Sequence, residues 1–218
     1  MDGYAKLAYL FKPIKIGSME VKNRIVMPPM GILFGTDEDK KVTDQLTAYF
    51  VARAKGPGMI AVGGSVLTKC SYATFVKYGS SALYNDKFIA PLEKLVSAVH
   101  QCQSDVKFGV ELIHGGNQTK ETPEIEAPSP LRALATVPYT PKELTVPEIK
   151  EREQDFGKAA MRCKKAGCDF VEIHSAHGYL INNFLSPFAN QRTDEYGGSF
   201  EKRIRFFIEV LHCIRDYV

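Results

Sequence analysis

Four short apolar runs, each followed by a longer stretch with helical spacing, restrict this chain more than any other feature. The runs are Arg24–Pro28, centred on Ile25-Val26-Met27, then Met59–Val66, Lys107–Ile113 and Asp169–His174. After the first, Thr43 can cap a helix that runs through Tyr49 to about Ala54, with Gly56 as its stop. After the second, Phe88–Gln103 sets Leu92, Leu95, Val96 and Val99 at helical spacing. After the third, Thr145–Ala166 opens with a capping residue, Thr145. Pro147 fits its first turn, Glu148 completes a capping box, and Gly167 ends it. Phe200–Tyr217 follows the fourth run. Such alternation predicts a parallel sheet with helical crossovers, and continuous apolar strands suit a sheet covered on both faces. Neither Gly-x-Gly-x-x-Gly nor a Walker motif occurs, so a doubly wound dinucleotide fold loses its best support.

The reading is therefore α/β, a (β/α)8 TIM barrel. A complete barrel has eight strand–helix units and typically about 250 residues. Only about the first four units are found in these 218 residues. Residues 1–218 are expected to form the N-terminal half of a barrel, with the rest and any C-terminal domain lying outside them. Half a barrel would expose two sheet edges.

A net charge of +3 gives no reason to expect nucleic acid or a membrane surface as partner. No run approaches the length of a membrane-spanning helix, and Asp2 and Lys6 make a poor signal peptide. The cysteines, Cys70, Cys102, Cys163, Cys168 and Cys213, are odd in number and lack a Cys-x-x-Cys. Buried free thiols in a reducing cytoplasm are expected, with no metal site among these residues.

Chemistry concentrates between Val171 and Ser199. His174, His177 and Tyr179 lie just beyond the fourth strand, where barrels open into polar loops and do chemistry. Two imidazoles three residues apart beside a phenol can hold and protonate a carbonyl-bearing substrate. The residues alone leave other readings open. The histidines could pack at a strand end, or ligate a metal through their H-x-x-H spacing, given a third ligand. Glu172 should lie on the opposite side of the strand from His174's neighbour. Tyr179 could be a core phenol. Gly63-Gly64 inside the second strand mark the close approach of a ligand or backbone, or relieve packing. Arg192, Asp194 and Tyr196 read as a loop brace. The long proline-rich connection from His114 to Thr145 has a length that often carries function.

Several motifs, in order from Leu10 to the end, resemble the Old Yellow Enzyme family of flavin-dependent NAD(P)H oxidoreductases. They are Leu-Phe-Lys-Pro-Ile-Lys-Ile-Gly from Leu10, Val-Lys-Asn-Arg-Ile-Val-Met-Pro-Pro-Met from Val21, Leu144–Ile149, and His174–Leu180 with Asn190–Ser199. The branch with 2,4-dienoyl-CoA, bile-acid and aryl-CoA reductases is the most similar. The resemblance implies FMN as cofactor, NADH or NADPH as hydride donor, and reduction of an activated carbon–carbon double bond of enone, enoate or enoyl-CoA type. It implies that Pro28, Pro29, Met30 and Gly31 lie along the flavin, that Gly64 sits near its ring, and that Glu111 meets its pyrimidine end. His174 and His177 would hold the substrate carbonyl and Tyr179 would donate the proton. Leu33 stands where some relatives have a substrate-contacting tyrosine, and Gly31 where some have a redox-tuning cysteine.

Glu111 replaces a glutamine common in relatives. Ionised, it accepts hydrogen bonds but donates none, and its charge opposes that of a reduced flavin. The resemblance also places the phosphate-gripping loops, and any iron–sulfur domain of longer relatives, beyond Val218. The isolated chain is accordingly expected to be inactive and to bind FMN weakly. A dehydrogenase of the same fold is the alternative enzyme. A non-catalytic half barrel, pairing with a complementary half or with another copy, is the alternative outside catalysis. Bound flavin distinguishes the flavin enzyme from the non-catalytic half barrel; a hydrolase built on the two histidines would carry stoichiometric zinc and no flavin.

Overall fold

The structure, a computed structural model, describes residues 7–32, 34–69, 81–119, 124–133 and 139–218. Its centre is a four-stranded parallel sheet of β3 (Val26–Met27), β4 (Met59–Val66), β5 (Lys107–Ile113) and β8 (Phe170–Ile173), side by side in that order. A doubly wound sheet reverses its strand order at a switch point, whereas a barrel wall adds each strand beside the last. This sheet follows the second rule and forms part of a (β/α) barrel. β4 and β5 have the predicted bounds. β3 is shorter than predicted: Pro28 and Pro29, lacking N–H groups, cannot extend the ladder.

Among the described residues five α-helices accompany the sheet: α1 (Asp44–Val51), α2 (Ile89–Cys102), α3 (Val146–Lys165), α4 (Leu180–Leu185) and α5 (Phe200–Tyr217). The Thr43 hydroxyl accepts from the Leu46 N–H and starts α1 as expected. At α3 the capping box is complete: the Thr145 hydroxyl accepts from the Glu148 N–H, and the Glu148 carboxylate accepts from the Thr145 N–H at 2.9 Å. α3 ends at Gly167 in a Schellman motif, with Cys168 N–H bonded to Cys163 O and Gly167 N–H to Lys164 O.

Short elements escaped the sequence reading. β1 (Ile14–Ile16) and β2 (Met19–Val21) form an antiparallel hairpin. β6 (Glu126–Ala127) and β7 (Lys142–Glu143) pair in parallel inside the long connection. α4 fills the space between Tyr179 and Ser186. None of these is long enough to develop a readable period.

The core forms where helix faces meet the sheet. Leu92, Leu95, Val96 and Val99 of α2 are buried, as are Ile149, Phe156 and Ala160 of α3. Phe50 meets Phe108 edge-on at 5.5 Å, and Phe184 meets Phe206 at 4.5 Å. Each such side chain contributes about 1.5–3 kcal/mol by its burial. The outer strands are more open: Val26 of β3 is 49% exposed, and β8 has no fully buried residue. The described cysteines, Cys102, Cys163, Cys168 and Cys213, are free; Cys70 lies outside the described residues. Among the described residues no helix is long and apolar enough to cross a membrane.

Candidate active site

A cleft of about 610 Å³ opens at the carboxyl ends of the parallel strands. Pro28, Pro29, Gly31, Gly64, Glu111, His174, His177 and Tyr179 all line it. Met30 does not line it; its backbone packs on β4, where a Cβ on Gly63 would come within 2.4 Å of Met30 O. Leu33 lies outside the described residues.

β4 is irregular where it borders the cleft. Its register with β5 shifts between Val62 and Ser65, and Gly64 takes a left-handed φ of +61°. That conformation, which suits glycine, turns the Gly64 N–H out of the ladder and onto Glu111 Oε2 at 2.9 Å. Glu111 Oε1 lies 3.9 Å from His174 Nε2. Burial raises the Glu111 pKa, against the Gly64 hydrogen bond, and the charge of Glu172 adds to the rise. Glu172 is the register partner of Glu111 on β8 and also lines the cleft. Sequence reasoning gave it no role, although strand parity places it on the His174 face.

The turn after β8 aims the imidazoles. His177 has φ +56° and Gly178 φ +74°, two successive left-handed residues. Such a conformation costs a non-glycine residue about 1–2 kcal/mol and persists only where its surroundings enforce it. The enforcement comes from amides. Gln118 Nε2 donates to His177 O, Gly178 N–H donates to Asn182 Oδ1, and Asn183 Nδ2 donates to Gly178 O. Gln118, Asn182 and Asn183 had no part in the sequence reading; an Asn-Asn pair following the His-Gly-Tyr turn is the signal that could have found them.

The hydrogen bonds assign the tautomers. Ala176 N–H donates to His174 Nδ1 at 3.4 Å, so neutral His174 carries its proton on Nε2. That N–H faces His177 Nδ1 at 3.3 Å and leaves a proton on His177 Nε2. Burial, then the charge of His177, lowers the His174 pKa and keeps the ring neutral. The Tyr179 ring stands edge-on to His174 at 4.7 Å. Burial, followed by the charge of Glu111, raises its phenol pKa, so the proton stays available to donate. Among the described residues no three His, Cys, Asp or Glu side chains are grouped to hold a metal.

Arg192 braces the following loop, as expected from the sequence. Its Nε donates to Asp194 Oδ1 at 3.0 Å and its Nη1 to Pro128 O at 3.1 Å, while Tyr196 Oη donates to Glu209 Oε2 at 2.9 Å. Asn190 Nδ2 ties the same loop to Phe184 O and Tyr196 O.

Comparison with known proteins gives the chain's family and fold relatives. The model of the NADH:flavin oxidoreductase / NADH oxidase family matches residues 9–218. The NADPH dehydrogenase of Bacillus subtilis (strain 168) is 41% identical over 208 residues, covering 95% of this chain and 60% of that protein. Old Yellow Enzyme from Pichia sp. AKU4542 superposes with a TM-score of 0.87 at 31% identity, over 96% of this chain and 57% of that one. A 2-naphthoyl-CoA reductase solved with 2-naphthoyl-CoA superposes with a TM-score of 0.88 at 30% identity, over 96% of this chain and 33% of that one. The chain thus spans about 60% of the length of the first curated relatives it matches.

Proposed function

This chain belongs to the NADH:flavin oxidoreductase / NADH oxidase family, and from that premise we propose that the whole protein is an FMN-dependent NAD(P)H oxidoreductase that reduces activated carbon–carbon double bonds. The convergence of Glu111, His174, His177 and Tyr179 on one cleft supports the reading most strongly.

The cleft suits the ring of FMN. Its volume lies in the range of small-molecule sites, about 300–1,000 Å³. Gly31 and Gly64 add no side chains to its lining, and Pro28, Pro29 and Ile113 supply apolar surface. Glu111 Oε1 is an acceptor of the kind the ring's N3–H needs. When bound, FMN supplies the hydride. The described lining contains no lysine or arginine for a phosphate. The 218-residue chain by itself should therefore bind FMN weakly; a tight titration would overturn that expectation.

The chain's own groups act on the substrate. His177 Nε2–H is free to donate to a carbonyl oxygen, and a modest turn of its ring would release His174 Nε2–H to the same oxygen. Donors aimed at a developing oxyanion are worth about a hundredfold or more in rate each. Tyr179 holds the proton that the α-carbon of the resulting enolate takes up. A phenol is a weak acid, but a carbon enolate is a strong enough base to remove its proton.

The test is purification of the full-length protein, flavin analysis, and NADPH- or NADH-dependent reduction of 2-cyclohexenone. Stoichiometric flavin with turnover is expected. A colourless protein carrying stoichiometric zinc would replace this reading with the hydrolase.

A further inference from the structure

His114 follows β5 directly, is 2% exposed and does not line the cleft. We propose that it is a positioning residue: anchored by Glu126, its ring fixes the turn 114–118, and that turn holds His177 and Tyr179 where they act on the substrate carbonyl. This inference rests on the reaction proposed above and names a further residue on which that reaction depends.

Each nitrogen of the ring has its own task. Nδ1 accepts from Gly116 N–H at 3.2 Å and holds the turn closed. With Nδ1 an acceptor, the ring's proton sits on Nε2. Nε2 faces Glu126 Oε2 on β6 at 3.5 Å, and Arg152 Nε of α3 lies 3.6 Å from the same oxygen. Arg152 in turn donates through Nη1 to Asp155 at 2.8 Å. Burial opposes the charge on Glu126, but His114 and Arg152 outweigh it and hold the carboxyl below its ordinary range. Desolvation offsets much of the attraction in a buried ion network, so its gain in stability is small. What this network gives is a fixed place for one imidazole.

That imidazole governs a turn that reaches the catalytic segment three times. His114 O accepts from Leu180 N–H at 3.0 Å, Asn117 N–H donates to Asn183 Oδ1 at 3.1 Å, and Gln118 Nε2 donates to His177 O. Asn183 passes the constraint on: its N–H donates to Tyr179 O at 2.7 Å and its Nδ2 to Gly178 O at 2.8 Å. A Cβ on Gly116 would come within 2.8 Å of Leu180 N, so the turn and the start of α4 are packed without slack. A catalytic constellation is held by the groups that support it, and a misplacement of about 1 Å costs on the order of a hundredfold in rate.

The test uses full-length holoenzyme with its flavin photoreduced, and rates are taken per bound flavin. The measured quantity is the rate of reoxidation by 2-cyclohexenone divided by the rate with dioxygen, which has no carbonyl to hold. Glu126→Leu removes the anchor. His114→Asn keeps an acceptor for Gly116 N–H but is too short to reach Glu126. Each should lower the ratio by about tenfold to a hundredfold, and the double variant should be no worse than the lower single. Glu126→Gln, whose amide oxygen still accepts from His114, should recover most of the loss. A ratio within about twofold of wild type in either folded single variant, effects that multiply in the double variant, or no recovery in Glu126→Gln overturns the positioning role. A wild type whose reduced flavin reacts with dioxygen but not with 2-cyclohexenone overturns the reaction instead. Positioning is then read from 15N-histidine spectra, where the His177 ring signal should shift in Glu126→Leu and return in Glu126→Gln; an unmoved signal overturns it.

Discussion

His174 and His177 are bonded to each other, Nε2 to Nδ1 at 3.3 Å, through a turn whose second imidazole sits in left-handed backbone. The pair is thus a relay of oriented donors anchored at the Ala176 N–H rather than two independent side chains. The free donor of the relay, His177 Nε2–H, is its outermost group.

Tyr179→Phe removes the proton donor and leaves the ring packing against His174. Reduction of the flavin by NAD(P)H should be unchanged, while the alkene-reducing step slows by about 10²–10⁴. Stopped-flow measurement of the two half-reactions checks this. Equal slowing of both would remove Tyr179 from the proton-transfer role.

Gly178→Ala combines a left-handed φ of +74° with a Cβ only 2.5 Å from Gln118 Nε2. The variant should lose more than about 1 kcal/mol of stability, read from the urea midpoint. It should also lose carbonyl activation, because the Gln118 bond to His177 O cannot survive unchanged.

Glu111→Gln removes a carboxylate beside the proposed flavin and supplies an amide donor in its place. Burial raises the Glu111 pKa, so the two proteins are compared over a series of pH values, with the difference expected to be largest at the alkaline end. The midpoint potential of the bound flavin in the full-length protein should rise. An identical potential in the two proteins would show that this charge does not reach the ring.

Glu153 on α3 is 5% exposed and faces Lys150 at 3.2 Å; Lys150 also lies 3.0 Å from Glu209 on α5. Tyr196 bonds to Glu209, and Cys213 of α5 also feels the Glu153 charge. Burial pushes the Glu153 carboxyl up to about 7, with the neighbouring Glu209 adding to the rise. A carboxyl that is a weaker acid folded than unfolded stabilises the fold below its unfolded pKa, about 4.5, and loses that contribution as pH rises toward 7. Glu153→Gln should therefore flatten the decline of stability between these pH values, as followed by denaturant melts. An unaltered slope would place the titration elsewhere.

Much of the frame was legible along the chain. Met59–Val66, Lys107–Ile113 and Phe200–Tyr217 were read with their observed bounds, and Thr145 and Glu148 cap α3 as expected. Their signals are local, arising from apolar period and cap chemistry within a few residues. The hairpin β1–β2, the ladder β6–β7 and α4 were not legible, because each is too short to carry a period and exists through its partners.

The sequence by itself determined which residues gather at the strand ends: His174, His177, Tyr179, Glu111 and Gly64 all reach one cleft. Position just beyond the fourth strand is enough for His174, His177 and Tyr179, and the family resemblance for Glu111 and Gly64. Only the tertiary structure decided how they work together. Gly64 reaches Glu111 across 47 positions, Gln118 holds His177 across 59, and Asn183 meets Asn117 across 66. Such bonds choose which N–H is free and which carboxyl is desolvated. The reason is physical. Periodicity and caps depend on near neighbours, whereas hydrogen-bond saturation and burial depend on groups brought together by packing.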